Sequence, residues 1–460
     1  MSTQTVTNHT DTIVALASPQ GMGAIGVIRL SGPKAFEITS AVFPSKTISL
    51  VPSHTVHVGN IEDEGRVIDE VVVTVFKGPR SFTKEDVIEI SCHGSTFIIQ
   101  ELIQLLLRKG ARHAKPGEFT MRAFLNGRFD LAQAEAVADL IASDSKASHQ
   151  VALQQMRGGF SDEIRRLREQ LIHFASMVEL ELDFSEEDVA FADRTQLRKL
   201  INEIKRVIDR LIHSFSLGNV IKNGVPTVII GKPNAGKSTL LNTLLNEEKA
   251  IVSEIAGTTR DFIEDELNVE GITFRFIDTA GLREATDTIE AMGVKRTREK
   301  MTQASLIIYL FDVKSTSERE LIRDLEELKT LQAPYLVVGN KIDKREDAII
   351  TTFKNIDGII YISAKENIGI EELKQNLLEI IQYDSFKQND TLVTNMRHYE
   401  SLRETRKALD EVLSGMDNDV PGDLLAQDIR QSLFHLGEIT GDISTDDLLD
   451  NIFSKFCIGK

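Results

Sequence analysis

Between Asp11 and Cys92 the apolar residues come in short runs: DTIVALAS, GVIRLSG, HTVHVGNI, VIDEVVVTVFKG and DVIEISC, each bounded by turn residues. Such runs, rich in β-branched side chains, predict strands. The next segment, FIIQELIQLLLRKG, has helical spacing and a basic final turn, and Gly110 predicts its end. From about residue 125 to 215 the spacing is helical throughout. LAQAEAVADLIAS consists of strong helix formers. SDEIRRLREQLIHFASMVELEL places Ile164, Leu167, Leu171 and Phe174 on one face, behind Ser161 as expected N-cap. TQLRKLINEIKRVIDRLIHSF repeats the pattern, and YESLRETRKALDEVL and GDLLAQDIRQSLFHLGEI return to it between 385 and 455.

Between these helical stretches the texture changes. TVIIG, FRFIDTAG, LIIYLFDV, YLVVGNKID and IIYISAK are continuous apolar runs separated by helical segments. That pattern predicts a parallel sheet covered on both faces. Proline placement marks the same divisions: six of ten prolines fall in residues 1–116, and none between Gly117 and Val225. The expected organisation is an N-terminal α+β domain (1–124), a helical domain in two parts (125–217 and 383–460), and an α/β domain (218–382) inserted between them.

Composition adds limits. A chain of 460 residues suggests about three domains. With 41% hydrophobic and 27% charged residues it is a folding chain rather than a disordered one. Two cysteines, Cys92 and Cys457, form no zinc pattern and no disulfide framework, which points to a reducing compartment. MSTQTVTNHTDT has neither basic cap nor apolar core, so no secretory leader is expected. The longest apolar runs resemble SLIIYLF, short of the ~20 residues that cross a bilayer. A cytoplasmic location without a membrane span is therefore expected. The net charge of −17 argues against nonspecific coating of nucleic acid. A phosphate ligand then needs local cations, backbone dipoles or metal.

The inserted domain carries that equipment. GKPNAGKS, Gly231 to Ser238, follows the TVII strand and opens the helix STLLNTLL. This is a phosphate loop in its required strand–loop–helix context. Its backbone N–H groups, including those of Asn234, Ala235, Gly236 and Thr239, wrap phosphates. Lys237 reaches the β and γ phosphates, and Ser238 binds Mg²⁺. NKID ends the run YLVVG, and the Asp343 carboxylate can accept from guanine N1 and the 2-amino group. Asn340 and Lys341 accompany it, and Ser363, Ala364 and Lys365 (SAK) close over the base. In DTAG, Asp278 is placed for Mg²⁺ through water and the Gly281 N–H for the γ-phosphate, with Thr279 and Ala280 between them. GTTRD brings Gly257, Thr258 and Thr259, and Thr259 completes the Mg²⁺ shell. Each tetrapeptide is weak alone. All five in this order resemble the Ras-like GTPase superfamily, in its translation-factor-related branch. One departure bears on mechanism. Where many such GTPases place Gln after DTAG, this chain has Leu282, which cannot orient water. Arg283, Glu284, Asp287 and Glu290 are the nearby polar candidates.

Over essentially its full length the chain resembles the MnmE (TrmE) family of bacterial tRNA-modification GTPases. The resemblance rests on DTIVALAS…GVIRLSG, KPGEFTMRAFLNGRFDLAQAEAVADLI, the GTPase insert, and the C-terminal CIGK after GDISTDDLLDNIFSKF. It implies a multidomain α/β plus α fold: an N-terminal α+β folate-binding-like domain, a helical domain and an inserted Ras-like P-loop GTPase domain. It implies a homodimer joined through the N-terminal domain, and a flavin-dependent partner, MnmG (GidA), in a heterotetramer. The implied reaction adds an aminomethyl or carboxymethylaminomethyl group to carbon 5 of the tRNA wobble uridine. The one-carbon donor is a tetrahydrofolate derivative, of the 5-formyl or methylene type.

The same resemblance assigns Asn234, Ser253, Ile255 and Thr258 to a K⁺ ion, with Glu254 and Ala256 in the same loop. Glu290 becomes the water-positioning residue, and Arg29, Glu89, Arg128 and Lys460 become folate contacts. Arg128 stands where some members have Lys, and its fork geometry differs. Cys457 is a candidate for chemistry beside the folate, with Lys460 as a neighbouring cation; Cys92 and His93 read as structural. The competing class is a GTPase switch in ribosome or RNA assembly. It has no need of a folate pocket or of CIGK, and usually adds a compact basic domain that this chain does not display.

Overall fold

The computed structural model describes residues 11–183, 194–249, 265–277, 304–331, 333–343, 352–381, 391–418 and 420–459. The chain divides into two compact units. The first comprises Met1–Ala142, Ala152–Arg206 and Glu400–Lys460, the second Ser143–Val151 and Val207–Tyr399.

The first unit contains a six-stranded sheet of β1 (Ile13–Leu16), β2 (Ile25–Ser31), β3 (Thr55–Asp63), β4 (Arg66–Phe76), β5 (Val87–His93) and β6 (Arg112–His113), in the order β3-β4-β5-β2-β1-β6. Neighbours are antiparallel except β1 and β6. Alternation along VIDEVVVTVF buries Val71, Val73 and Val75, with Ile88 and Ile90 of β5 beside them. The helix Thr96–Arg108 places Leu102, Leu105 and Leu106 in the same core. Each such side chain contributes about 1.5–3 kcal/mol on burial. Gly110, at φ 105, follows this helix in the left-handed conformation that L side chains avoid. The β2–β5 register sets Arg29 directly opposite Glu89.

Helices Glu118–Leu125, Leu131–Ala142, Gly159–Asp183, Gly422–Thr440 and Asp446–Phe453 belong to the same unit. Ile164, Leu167, Leu171 and Phe174 are buried, as their spacing predicts. Ser161 does not cap: the helix begins at Gly159, after Gly158 at φ 93. The buried Ser161 hydroxyl instead donates to Asp130 Oδ1 at 2.9 Å. A local cap signal has yielded to a longer-range partner.

The second unit holds β7 (Val225–Ile230), β8 (Asp265–Val269), β9 (Ile272–Phe276), β10 (Leu306–Asp312), β11 (Tyr335–Asn340) and β12 (Ile359–Ile362), in the order β12-β11-β10-β7-β9-β8. All pairings are parallel except β8–β9. Alternate residues of β10 enter two different cores: Leu306, Ile308 and Leu310 one, Ile307, Tyr309 and Phe311 the other. Both faces of the strand are covered, which is why its sequence is apolar without interruption. Strand β8 is not among the expected runs. DELNV offers only Leu267 and Val269 to the core, and the strand forms as a hairpin arm around Glu270 and Gly271, at φ 50 and 92. Two consecutive positive φ values are what a two-residue hairpin turn requires.

Candidate functional site

Strand β7 ends at Ile230, and the chain turns through Gly231 to Gly236 into the helix Lys237–Lys249. Two glycines are compulsory. A Cβ on Gly231 would lie 2.0 Å from the Leu310 carbonyl oxygen, and one on Gly236 2.3 Å from Asn340 Nδ2. Both residues have positive φ, as does Asn234 at 63. The loop therefore lies against the ends of β10 and β11 and leads directly into the helix N-terminus, where an anion is favoured. Lys237 Nζ donates to the carbonyls of Gly231 at 2.8 Å and Lys232 at 3.0 Å. Burial holds its pKa below the ordinary lysine value. An ammonium that is poorly hydrated and bonded to the loop is ready to take a phosphate oxygen. Ser238 follows in the first helical turn, and Thr239 is exposed beside it.

Asn340, 3% exposed, ties three segments together. Its Nδ2 donates to the Ala235 carbonyl at 2.8 Å, and its Oδ1 accepts from Lys341 N at 2.8 Å and Ala364 N at 3.0 Å. Lys341, at φ 76, donates from Nζ to the Asn234 carbonyl at 2.7 Å and to Asp312 Oδ2 at 2.8 Å. The Ser363 hydroxyl donates to Asp343 Oδ1, and Lys314 Nζ lies 3.8 Å from Asp343 Oδ2. Thr243 Oγ1 donates to the Ala364 carbonyl at 2.7 Å. Lys365 is turned outward, 79% exposed. The structure thus brings Asn234, Ala235, Gly236, Lys237, Asn340, Lys341, Asp343, Ser363 and Ala364 into one cluster.

Sequence reasoning missed Asp312 and Lys314. Both follow the apolar run LIIYLF, where a strand end places residues at the rim of a parallel sheet. Burial pulls the Asp312 carboxyl upward, but the Lys341 ammonium and the Lys314 N–H outweigh it and hold it below its ordinary pKa. Ser253, Glu254, Ile255, Ala256, Gly257, Thr258, Thr259, Asp278, Thr279, Ala280, Gly281, Leu282, Arg283, Glu284, Asp287, Glu290 and Lys460 lie outside the described residues.

In the first unit, Arg29 Nη2 pairs with Glu89 Oε1 at 2.7 Å, and its Nη1 donates to the Gly459 carbonyl at 3.4 Å. The C-terminal tail therefore reaches the Arg29–Glu89 pair. Gly459 itself leaves no room for a Cβ, which would fall 2.1 Å from the Leu16 carbonyl oxygen. The Arg29 guanidinium lies 5.3 Å from the Phe82 ring centre, and that of Arg128 lies 5.1 Å from the same ring. Beside them is a cavity of about 510 Å³ lined by residues that include Phe76, Arg80, Phe82, Lys84, Glu89 and Arg128. Burial lowers the Arg128 pKa. Cys457 is exposed, and its carbonyl accepts from Gly117 N at 3.4 Å. Cys92 is buried against the Gly26 carbonyl, and burial pushes its thiol up to about 11. His93 Nδ1 lies 2.7 Å from Asp69 Oδ1.

Comparison with known proteins adds the following. The profile of the GTP-binding protein TrmE N-terminus matches residues 12–128, and that of the MnmE helical domain matches residues 131–457. A protein of Cytophaga hutchinsonii named tRNA modification GTPase MnmE is 93% identical over 460 residues, covering 100% of both chains. One of the same name from Flavobacterium psychrophilum is 56% identical over 458 residues, covering 98% of this chain and 99% of its own. Among solved structures, the FeoB G-domain from Methanococcus jannaschii aligns with 34% of this chain and 97% of its own, at 21% identity and a TM-score of 0.25. On the full-length identity and the match of its helical profile to more than half of its residues, the chain belongs to the MnmE family of tRNA modification GTPases and is a GTP-hydrolysing enzyme.

Proposed function

We propose that this chain is a potassium-dependent GTPase that works with a flavin-dependent partner, MnmG, on tRNA. The pair adds an aminomethyl or carboxymethylaminomethyl group to carbon 5 of the wobble uridine. The observation that carries the modification reading is the meeting of the C-terminal tail with the Arg29–Glu89 pair beside an aromatic, cation-rich cavity. A plain nucleotide switch has no use for it. The donor set suits a reduced folate: Phe82 offers a ring face, Glu89 accepts from heterocycle N–H groups, and Arg29, Arg128 and Lys460 take carboxylate or carbonyl oxygen. The folate supplies the one-carbon unit. Cys457, on the same tail, is the candidate for chemistry beside it.

In the nucleotide site Gly231 and Gly236 let the loop pack against Leu310 and Asn340 with no room for a Cβ, which fixes its backbone at the N-terminus of the helix Lys237–Lys249, where a polyphosphate is favoured. Lys237 binds the β and γ phosphates, and Asp343 reads guanine. Ser363 orients that carboxylate by donating to one of its oxygens. Ser238 and Thr259 would hold Mg²⁺, and Asn234, Ser253, Ile255 and Thr258 would hold K⁺; the two ions supply positive charge at the phosphates. Glu290 positions the attacking water in place of the absent glutamine. The working state is a cytoplasmic homodimer bound to MnmG.

Two measurements test this. Mass analysis of wobble uridines in a strain lacking the protein should show loss of the modification; an unchanged nucleoside profile overturns the reading. GTP turnover should fall at least tenfold in sodium, and in Glu290→Ala with GTP binding retained. Equal turnover in both ions removes potassium from the mechanism, and normal turnover in the variant removes Glu290.

A further inference from the structure

The cavity beside Phe82 has an unbalanced charge. Three carboxylates lie on or near its wall, and all are engaged. Glu89 pairs with Arg29, Glu85 with Arg122 at 3.2 Å, and Asp86 Oδ1 accepts from Gly78 N at 3.0 Å. Arg80, Lys84 and Arg128 line the cavity with no acidic partner among the described residues. In a chain of net charge −17, three uncompensated cations on one concave wall invite an anion.

The wall is also built rather than loose. Lys84 Nζ donates to the Gly127 carbonyl at 2.7 Å, and Asn126 Nδ2 to the Thr83 carbonyl at 2.7 Å. Ser81 Oγ donates to the Glu85 carbonyl, and Arg128 Nη1 to the Ser81 carbonyl. The Arg128 guanidinium lies against both the Phe82 and Phe129 rings, at 5.1 and 5.2 Å from their centres. Arg128 is thus fixed beside the ring face, whereas Arg80 and Lys84 are exposed at the cavity mouth.

We propose that Arg80 and Lys84 form a subsite for the oligo-γ-glutamate tail of the folate, giving this protein a preference for polyglutamylated over monoglutamylated cofactor. The inference rests on the proposed folate reading of the cavity. A ring system against Phe82 directs its tail outward, and each added γ-glutamyl unit brings one more carboxylate to the mouth. Exposed ion pairs are individually weak, so two of them give about a three- to thirtyfold preference, screened by salt.

The test is calorimetric titration of the full-length protein with tetrahydrofolate monoglutamate and with its tri-γ-glutamate. The expected result is tighter triglutamate binding by that factor, shrinking in about 0.5 M salt. Arg80→Gln combined with Lys84→Gln should erase the preference with GTP turnover unchanged. Arg80→Gln alone, which breaks no side-chain hydrogen bond of the wall among the described residues, should reduce the preference and leave the melting temperature unchanged. Equal affinity for the two tails in the unaltered protein, or a preference that survives the double substitution, overturns the subsite while the folate site stands. If neither compound binds, the folate reading itself falls, and this inference with it.

Discussion

Asp343 and Asp312 do different work, although both are carboxylates at strand ends facing a lysine. Asp343 has one oxygen engaged by the Ser363 hydroxyl and a lysine at 3.8 Å, which leaves acceptor capacity for a base. Asp343→Asn replaces an acceptor by a donor. GTP affinity should fall by about ten- to a hundredfold, on the scale of a lost hydrogen bond to a charged group, and xanthosine triphosphate should be gained. Unchanged GTP affinity in a competition titration counts against the assignment. Among the described residues, Asp312 makes no hydrogen bond to Asp343 or Ser363. It holds Lys341, which in turn holds the Asn234 carbonyl of the phosphate loop. Asp312→Asn should therefore weaken GTP and GDP alike by several-fold, without admitting xanthine nucleotides. A change in base selectivity would show that Asp312 acts on the base after all.

At the scale of elements, ion pairs join the helix Glu118–Leu125 to the edge of the first sheet. Glu118, 3% exposed, accepts from Arg112 at 2.6 Å, Arg122 at 3.0 Å and Lys115 N at 2.8 Å. Arg122, fully buried, also pairs with Asp11 at 2.7 Å. Burial alone would raise the Glu118 pKa, but Arg112, the Lys115 N–H and Arg122 together bring it below 4.5. A depressed folded pKa stabilises the fold above the unfolded value, and that contribution disappears as pH falls through the folded value. Melting temperature should thus hold above about pH 4.5 and drop below it. Glu118→Gln should cost about 2–4 kcal/mol at pH 7 and flatten the acid limb. An identical acid limb in the variant would place the sensitivity elsewhere.

For the whole molecule, the central expectation is that the tail and the phosphate loop serve separable chemistries. CIGK lies more than 200 residues from GKPNAGKS, and no residue of the nucleotide cluster belongs to the unit that holds the tail. On the proposed reading, Cys457→Ser abolishes or strongly reduces wobble-uridine modification while GTP turnover persists. A tail that only packs its unit predicts otherwise: a lower melting temperature and a parallel fall of both activities. Cys457 is exposed and contributes a backbone acceptor, which the serine retains, so its substitution should leave melting unchanged. Full modification by the variant removes the thiol from the mechanism.

The strand runs, the long amphipathic helices and the phosphate loop were legible in the sequence because each is set by local periodicity or by residues a few positions apart. Continuous apolarity in LIIYLF foretold a strand covered on both faces, and GKPNAGKS foretold its own backbone. The positions of NKID and SAK were legible for the same reason: β11 ends at Asn340 and β12 at Ile362, directly before Ser363. Only the tertiary structure decided the rest. Ser161 became the partner of Asp130, and β8 formed through its hairpin with β9. Asp312 became the brace of Lys341 through the parallel pairing of β10 with β11. The meeting of Gly459 with Arg29 joins residues 430 positions apart. No local pattern encodes such a contact, because its partners are chosen by how sheet and helices pack, and its energy comes only after loop closure has been met.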